Sequence, residues 1–464
     1  MARKLIISLL VLLLVLLPHH NGVLWLFGEG PIRYWKEAAF LLMVVVYLLF
    51  VALPRGWPQQ VRAGVLLVLP LVLVVVWRAG LGVIQGEDLK LVVVGAANML
   101  VFVPAFLVVA QLLTRPEHVE RAIRVMLVLT TIAGLLSIAD WAFALSARFD
   151  YFGRVRVQEA SHYSDTALRS CLTFSSPMVL GMFTGLGVMI AAWRVSDLRE
   201  PLVRRIPAMI CLLICLAGML FTFSRGPWVS CALGTGLIVA LRNHGISLRD
   251  LARRHLSIGY LMLLGLCLIA LGVLVMPAGW QEHVLSIFDW ANDPNNSVRI
   301  RRMHMGLDMI GDRPFLGHGL GTMQPRLLEY RIEELGYDYF FTNPESQILL
   351  LLVEGGMLLL GSFLFVLIGF AAWTLWLARA QNPPRIRGMG VLLLGILAAL
   401  TVESAIMPML DTRLFKLIFW CLFGATLALG RCLEQQPRAS EAQPAQPATD
   451  PPTEPAGAPA ADGA

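Results

Sequence analysis

"TNPESQILLLLVEGG" occupies residues 342–356, and the chain beyond it stays apolar to about residue 376. A run of that length is enough for a membrane-spanning helix, which needs roughly 20 residues. Yet Glu345 stands at its mouth and Glu354 lies within it. Hydrocarbon penalises both carboxylates, so each needs a partner or a task. This one stretch therefore raises the question of class, and the rest of the chain answers it.

Of the 464 residues, 57% are hydrophobic and 15% are charged, with a mean hydropathy of +0.70. Soluble domains carry roughly 25% charged residues. The reading is an all-α, polytopic transmembrane bundle. Candidate spans are 5–27, 38–54, 63–83, 91–113, 125–145, 171–193, 206–223, 227–241, 257–276, 346–376, 388–408 and 414–431, about twelve in all. The formal net charge of +6 is modest and implies no nucleic-acid partner. The seven cysteines all lie in or beside apolar runs, where Cys acts as a small hydrophobe. Cys211 and Cys215 sit one helical turn apart with no His or acid beside them, so helix packing outweighs metal binding.

Arg3 and Lys4 precede the apolar run 5–17 as in a signal peptide, but Pro18, His19 and His20 follow in place of a small-residue cleavage site. The segment reads as an uncleaved first span. Arginines then mark alternate short loops: Arg55 and Arg62; Arg115, Arg121 and Arg124; Arg194, Arg199, Arg204 and Arg205; Arg242, Arg249, Arg253 and Arg254; Arg379, Arg385 and Arg387. With Arg3 and Lys4 they fall on one side, the cytoplasmic one, and an even number of spans puts both termini there. The Pro/Ala-rich tail, 434–464, cannot bury a core and reads as disordered. The membrane domain is then 1–433.

Two longer loops face the other side, 146–170 and 277–345, and both are rich in arginine. Long loops escape the charge rule. Their basic content suits lipid head groups or an anionic substrate. Within 277–345, Asn295, Asn296 and Ser297 offer N-cap chemistry, and Ile300, Met303, Leu307 and Ile310 recur at helical spacing. Arg299 and Arg302 share another face of that helix. Arginine binds phosphate oxygens in pairs and stays charged. "GHGLG" follows (317–321), a turn whose glycines admit a close backbone partner, with His318 inside it. In "FTFSRGPWVSC" (221–231), Arg225 stands between two apolar runs, costly there unless it has a function or snorkels from a tight turn at Gly226 and Pro227.

Taken together, "SRG" between two spans, the long loop with "DRPFLGHGLG" and the acid-bearing helix after it resemble the O-antigen ligase and Wzy-type polymerase superfamily over about residues 30–430. "RYWKEAAFLL" (33–42) and "RSCLTFSSPMVLGMF" (169–183) resemble further segments of that family. The resemblance implies an inner-membrane glycosyltransferase of the GT-C type. Its donor would be a glycan on undecaprenyl pyrophosphate, its acceptor a sugar hydroxyl, with no metal or nucleotide-sugar cofactor. Membrane lipids and a chain-length regulator are further implied partners.

Carried over residue by residue, Arg225 matches the SRG arginine and Arg299 the arginine a turn before a usual tryptophan, here Met303. Arg169 matches the arginine entering the sixth span. With Gly356 registered on the first family glycine, Glu345 falls where a ligase has its catalytic histidine. That departure favours a polymerase over a ligase. The expected catalytic set is Glu345, Arg225 and Arg299, with Arg169, Arg301, Arg302 and His318 binding pyrophosphate or glycan. An alternative for Glu345 is helix capping, with Asn343 as N-cap and Pro344 at the first helical position. Glu354 is expected to pair within the bundle, and Glu403, Asp411 and Arg413 to join the cavity wall. Two other functions stay open: a ligase acting on lipid A-core or protein, and a transporter of the same lipid-linked glycan. Against the transporter, the charges cluster at one face and no repeat is visible.

Overall fold

The computed structural model describes residues 2–20, 34–143, 145, 170–171, 174–197, 200–242, 294–323, 326 and 345–435. Among these, every regular element is helical. In chain order they are α1 (Ala2–Leu16), α2 (Trp35–Tyr47, prolonged through Leu48–Ala52 and Leu53–Arg55), α3 (Gln59–Ile84), α4 (Leu89–Leu100), α5 (Ala105–Leu112), α6 (Pro116–Phe143) and α7 (Pro177–Val195). There follow α8 (Leu202–Leu220), α9 (Arg225–Arg242), α10 (Pro294–Asp312), α11 (Gln347–Leu377), α12 (Pro384–Ile406) and α13 (Arg413–Glu434).

Nine segments of the described residues are long and apolar enough to cross a membrane: α2, α3, α4 with α5, α6, α7, α8, α11, α12 and α13. The expected twelve included three more. α1 has 15 residues, and the rest of that proposed span lies outside the described residues. α9 forms, but the arginines at its two ends, Arg225 and Arg242, dilute the apolar content of its 18 residues. The span expected at 257–276 lies outside the described residues, as do the loop at 146–169 and the tail beyond Gln435.

α7 is the centre of the bundle. Its side chains are buried almost all round, because α6, α8, α9 and α12 pack on different faces of it. Small residues let these neighbours approach one another. Gly134 of α6 meets Gly218 of α8, and Gly234 of α9 meets Gly395 of α12, with no room for a methyl group at Gly218 or Gly234. A second block of aromatics, Phe106, Phe370, Phe419, Trp420 and Phe423, joins α5, α11 and α13. The outward faces are apolar too: Leu66, Leu73, Val76, Phe365 and Ile368 are all exposed. Water would oppose such a surface; hydrocarbon accepts it.

The element that sets the site is α11, and it is broken. Gly356 has φ 66° and ψ −163°, so the helix stops and restarts there. A break frees backbone groups, which must be satisfied inside a membrane. The loop after α10 does this. His318 N–H donates to the Val353 carbonyl at 2.7 Å, Gly319 N–H to the Glu354 carbonyl at 3.0 Å, and Met357 N–H to the Pro314 carbonyl at 2.9 Å. From the far side, buried Arg78 of α3 donates to the Leu316 carbonyl at 2.8 Å and pairs with Glu87 at 3.4 Å. Gly95 of α4 lies directly against the backbone at Leu320 and Gly321. The glycine-dense turn is thus clamped between α3, α4 and α11. Glu354 accepts a hydrogen bond from the Gly321 backbone and lies near Lys416 and Asp411.

Candidate active site

α10 docks on the first half of α11 through Met305 and Met309, buried with Met323, Leu350 and Val353. The expected apolar stripe was different. Met303 and Leu307 are exposed, because the helix is rotated to put Met305 and Met309 on α11. That rotation carries Arg299 and Arg302 towards the start of α11. Arg302 forms an ion pair with Glu345, and Arg299 Nε lies 3.8 Å from the second oxygen of the same carboxylate.

Glu345 is buried and has φ 59°, the left-handed region that side chains rarely adopt. It precedes the helix; Ser346 is the N-cap and Gln347 the first helical residue. The capping alternative placed Glu345 in the first turn. The structure instead starts α11 after it, and Asn343 and Pro344 lie outside the described residues. The carboxylate therefore faces two guanidiniums rather than the helix terminus.

Arg225 opens α9, half-buried. The reversal before it is made by residues 221–224, with Phe223 at φ 50°; Gly226 and Pro227 already belong to the first helical turn. Gly226 has a specific use. A methyl group there would sit 2.7 Å from Glu403 Oε1. Glu403, on α12, is fully buried and accepts a hydrogen bond from Ser230 Oγ at 2.5 Å. Its other oxygen, Oε1, has no hydrogen-bond partner among the described residues. Arg299 lies within electrostatic reach of Glu403 as well as of Glu345. One guanidinium thus stands between two carboxylates, and the second of these packs against the residue after Arg225.

Of the seven expected site residues, Arg299, Arg302 and Glu345 come together, and Arg225 is tied to them through Gly226 and Glu403. Arg301 is exposed, on another side of α10. His318 has a different place from the one expected. It is buried in the clamp on α11, its Nε2 2.7 Å from the Met309 carbonyl. The glycines of its turn lie against the backbone of Glu354 and Leu91 and against the Glu87 carboxylate, with no room for a methyl group. Arg169 lies outside the described residues; Ser170 beside it hydrogen-bonds Asp140 at 2.9 Å and its N–H reaches the Phe221 carbonyl at 3.1 Å. Glu403, expected in the cavity wall, stands instead beside Arg299 and Gly226. An acid inside an apolar span was its only signal in the sequence.

A polar cavity of about 280 Å³ adjoins this cluster, lined by His20, Lys36, Asn98, Ser175, Asp411 and Arg413 among others. Ser175 and Val179 form part of its wall, while Met178 between them touches Arg299 at 3.7 Å. The start of α7 therefore separates the cavity from the arginines. Arg413 pairs with Glu37 at 2.9 Å and Lys416 with Asp411 at 3.2 Å. Burial, then Lys36 and Arg413, hold the His20 imidazole down at about 4.

A polytopic α-helical membrane protein with arginines and carboxylates gathered at one end of its bundle is the class these features define. Residues 210–364 match the family model described as O-antigen ligase, which supports the resemblance to the O-antigen ligase and Wzy-type superfamily. The matched residues include Arg225, Arg299, Arg302 and Glu345 but not Glu403. No curated protein matches the chain.

Proposed function

We propose that the protein is a polysaccharide polymerase of the inner membrane, moving a glycan from undecaprenyl pyrophosphate to an acceptor sugar hydroxyl at the periplasmic face. The observation that carries this reading is the convergence of Arg299 and Arg302 on Glu345, with Glu403 on the other side of Arg299. The family match supports it.

Arg299 and Arg302 neutralise Glu345. A donor pyrophosphate offers them better acceptors, because guanidinium grips phosphate oxygens in pairs. Donor binding then frees the carboxylate. Glu345 takes the proton from the acceptor hydroxyl as general base, and the oxygen attacks the anomeric carbon. The bond from that carbon to the pyrophosphate oxygen breaks. Arg225, Arg299 and Arg302 stabilise the charge on the departing lipid pyrophosphate. A single displacement inverts the anomeric centre. Arg301, exposed on α10, belongs at the rim.

Glu345→Gln keeps shape and removes the base. It should abolish chain extension at unchanged protein level, read as a polysaccharide length ladder beside an immunoblot. A normal ladder would sink the assignment. The family description favours one other reading, a ligase that transfers finished glycan to lipid A-core or protein. A deletion strain discriminates: a ligase loss leaves long, uncapped lipid-linked polymer, and a polymerase loss leaves single repeat units on the surface.

A further inference from the structure

At the end of the bundle away from Glu345, a second cavity opens between α1 and the remaining helices. Its volume is about 480 Å³, and its wall is apolar along Ile7, Leu10, Val11 and Leu14 of α1, with Leu186, Leu393 and Leu422 opposite. Arg3, His118 and Arg121 line it as well. α1 packs chiefly on α2, which leaves its other flank apart from the bundle. Arg3 bridges the gap at one point, donating to the Leu112 carbonyl at 2.6 Å.

The dimensions are informative. From Arg3 to Leu14 the α1 wall is about 16 Å long at 1.5 Å per residue. A bilayer's hydrocarbon core is about 30 Å thick, so the slot matches one leaflet. Its charged residues all lie at one mouth. Arg3, Arg115 and Arg121 act together on His118, and Arg431 lies near Arg3. The nearby acids are already used: Glu117 pairs with Arg385, and Glu120 with Arg385 and Arg194. Among the described residues, Arg3, Arg115 and Arg121 have no carboxylate partner. Along α6, Arg121 is about 28 Å from Asp140, which sits beside the SRG turn. The cationic mouth therefore faces the leaflet opposite the catalytic cluster.

We infer that this slot is a binding site for one acyl chain of an anionic phospholipid, its phosphate held by Arg3 and Arg121. The occupant is a resident lipid, since its head group lies a membrane thickness from the arginines that would hold the donor. It fills the space that α1 leaves open and fastens that helix to α6, α12 and α13.

Native mass spectrometry of the full-length protein, delipidated and titrated with phosphatidylglycerol or phosphatidylethanolamine, tests this. Wild type should hold one phosphatidylglycerol at least tenfold more tightly than phosphatidylethanolamine. Arg3→Gln with Arg121→Gln should bring the two to parity, whereas Arg379→Gln, at the same end but outside the slot, should leave the preference intact. Ala425→Phe, which fills the slot, should lose both lipids. Inorganic phosphate at millimolar concentration should not displace the lipid. Equal affinity for the two lipids in wild type, an unchanged preference in the double variant, or displacement by phosphate alone would overturn the inference.

Discussion

Glu345 and Phe223 hold backbone that only glycine adopts cheaply. Each left-handed residue costs about 1–2 kcal/mol, and such strain persists where surrounding contacts over-determine it. Here both strained residues border the same cluster, one inside it and one two positions before Arg225. Neither could be read from residue type. "NPES" looks like an ordinary helix start, and nothing in its letters marks a left-handed glutamate. The arginines, by contrast, were legible, because a guanidinium beside an apolar run is rare enough to be informative. Gly226 gives a test at this scale. Gly226→Ala drives a methyl group against Glu403 Oε1 and should cut activity severely. Gly236→Ala, in the same helix with open space around it, should keep activity and add up to about 1 kcal/mol of stability. Paired turnover and thermal-unfolding measurements on both variants decide whether the Gly226–Glu403 contact matters.

At the scale of elements, α10, the clamp and α11 act as one unit. The helical period in 300–310 announced α10, but the face it buries depended on a partner that the sequence does not name. The same holds for "GHGLG". Its glycines signalled close approach, and only the broken α11 shows that the approaching group is a helix backbone. Gly356→Ala would place a methyl group 2.2 Å from the Phe315 carbonyl oxygen at a positive φ. That variant should lose more than about 2 kcal/mol and fail to accumulate, while Gly361→Ala, with nothing nearby, should be tolerated. Expression and melting in detergent read both. The link from α1 to α2 supplies a pH test. Trp35 Nε1 donates to His20 Nδ1 at 3.2 Å, and the other ring nitrogen meets Lys36. Because burial first, then Lys36 and Arg413, depress the folded-state value from 6.5 to about 4, the unfolded chain binds the extra proton first. The associated stability is whole above pH 6.5 and is lost as pH falls through that window towards 4. Melting temperatures in His20→Gln should fall less between pH 6.5 and 4 than in wild type; parallel curves would exclude His20.

For the whole molecule, hydropathy alone was enough for the class, since apolar runs of this length have one solvent that suits them. It was less able to count spans. The spans expected at 5–27 and 227–241 do contain helices, but α1 has 15 residues and α9 carries an arginine at each end, while 257–276 lies outside the described residues. The arginine pattern sets an expected orientation, which can be measured. A cysteine at Arg301, which is exposed beside the arginine–carboxylate cluster, should react with a membrane-impermeant maleimide in spheroplasts, and a cysteine at Arg115 should not. The native cysteines in the described residues are buried or half-buried, and unmodified protein supplies the background. The opposite labelling would invert the topology. The clamp has one more consequence, for how such a chain can vary. His318 and Gly319 are pinned to Val353 and Glu354, and Glu345 introduces the same helix. The described chain before and after residues 327–344 is therefore anchored on the same helix. Doubling the length of such a connection costs only about 0.6 kcal/mol in closure entropy, and neither anchor has to shift. Insertions between those two anchors are therefore expected to leave α10 and α11 in register, whatever length the chain takes between them.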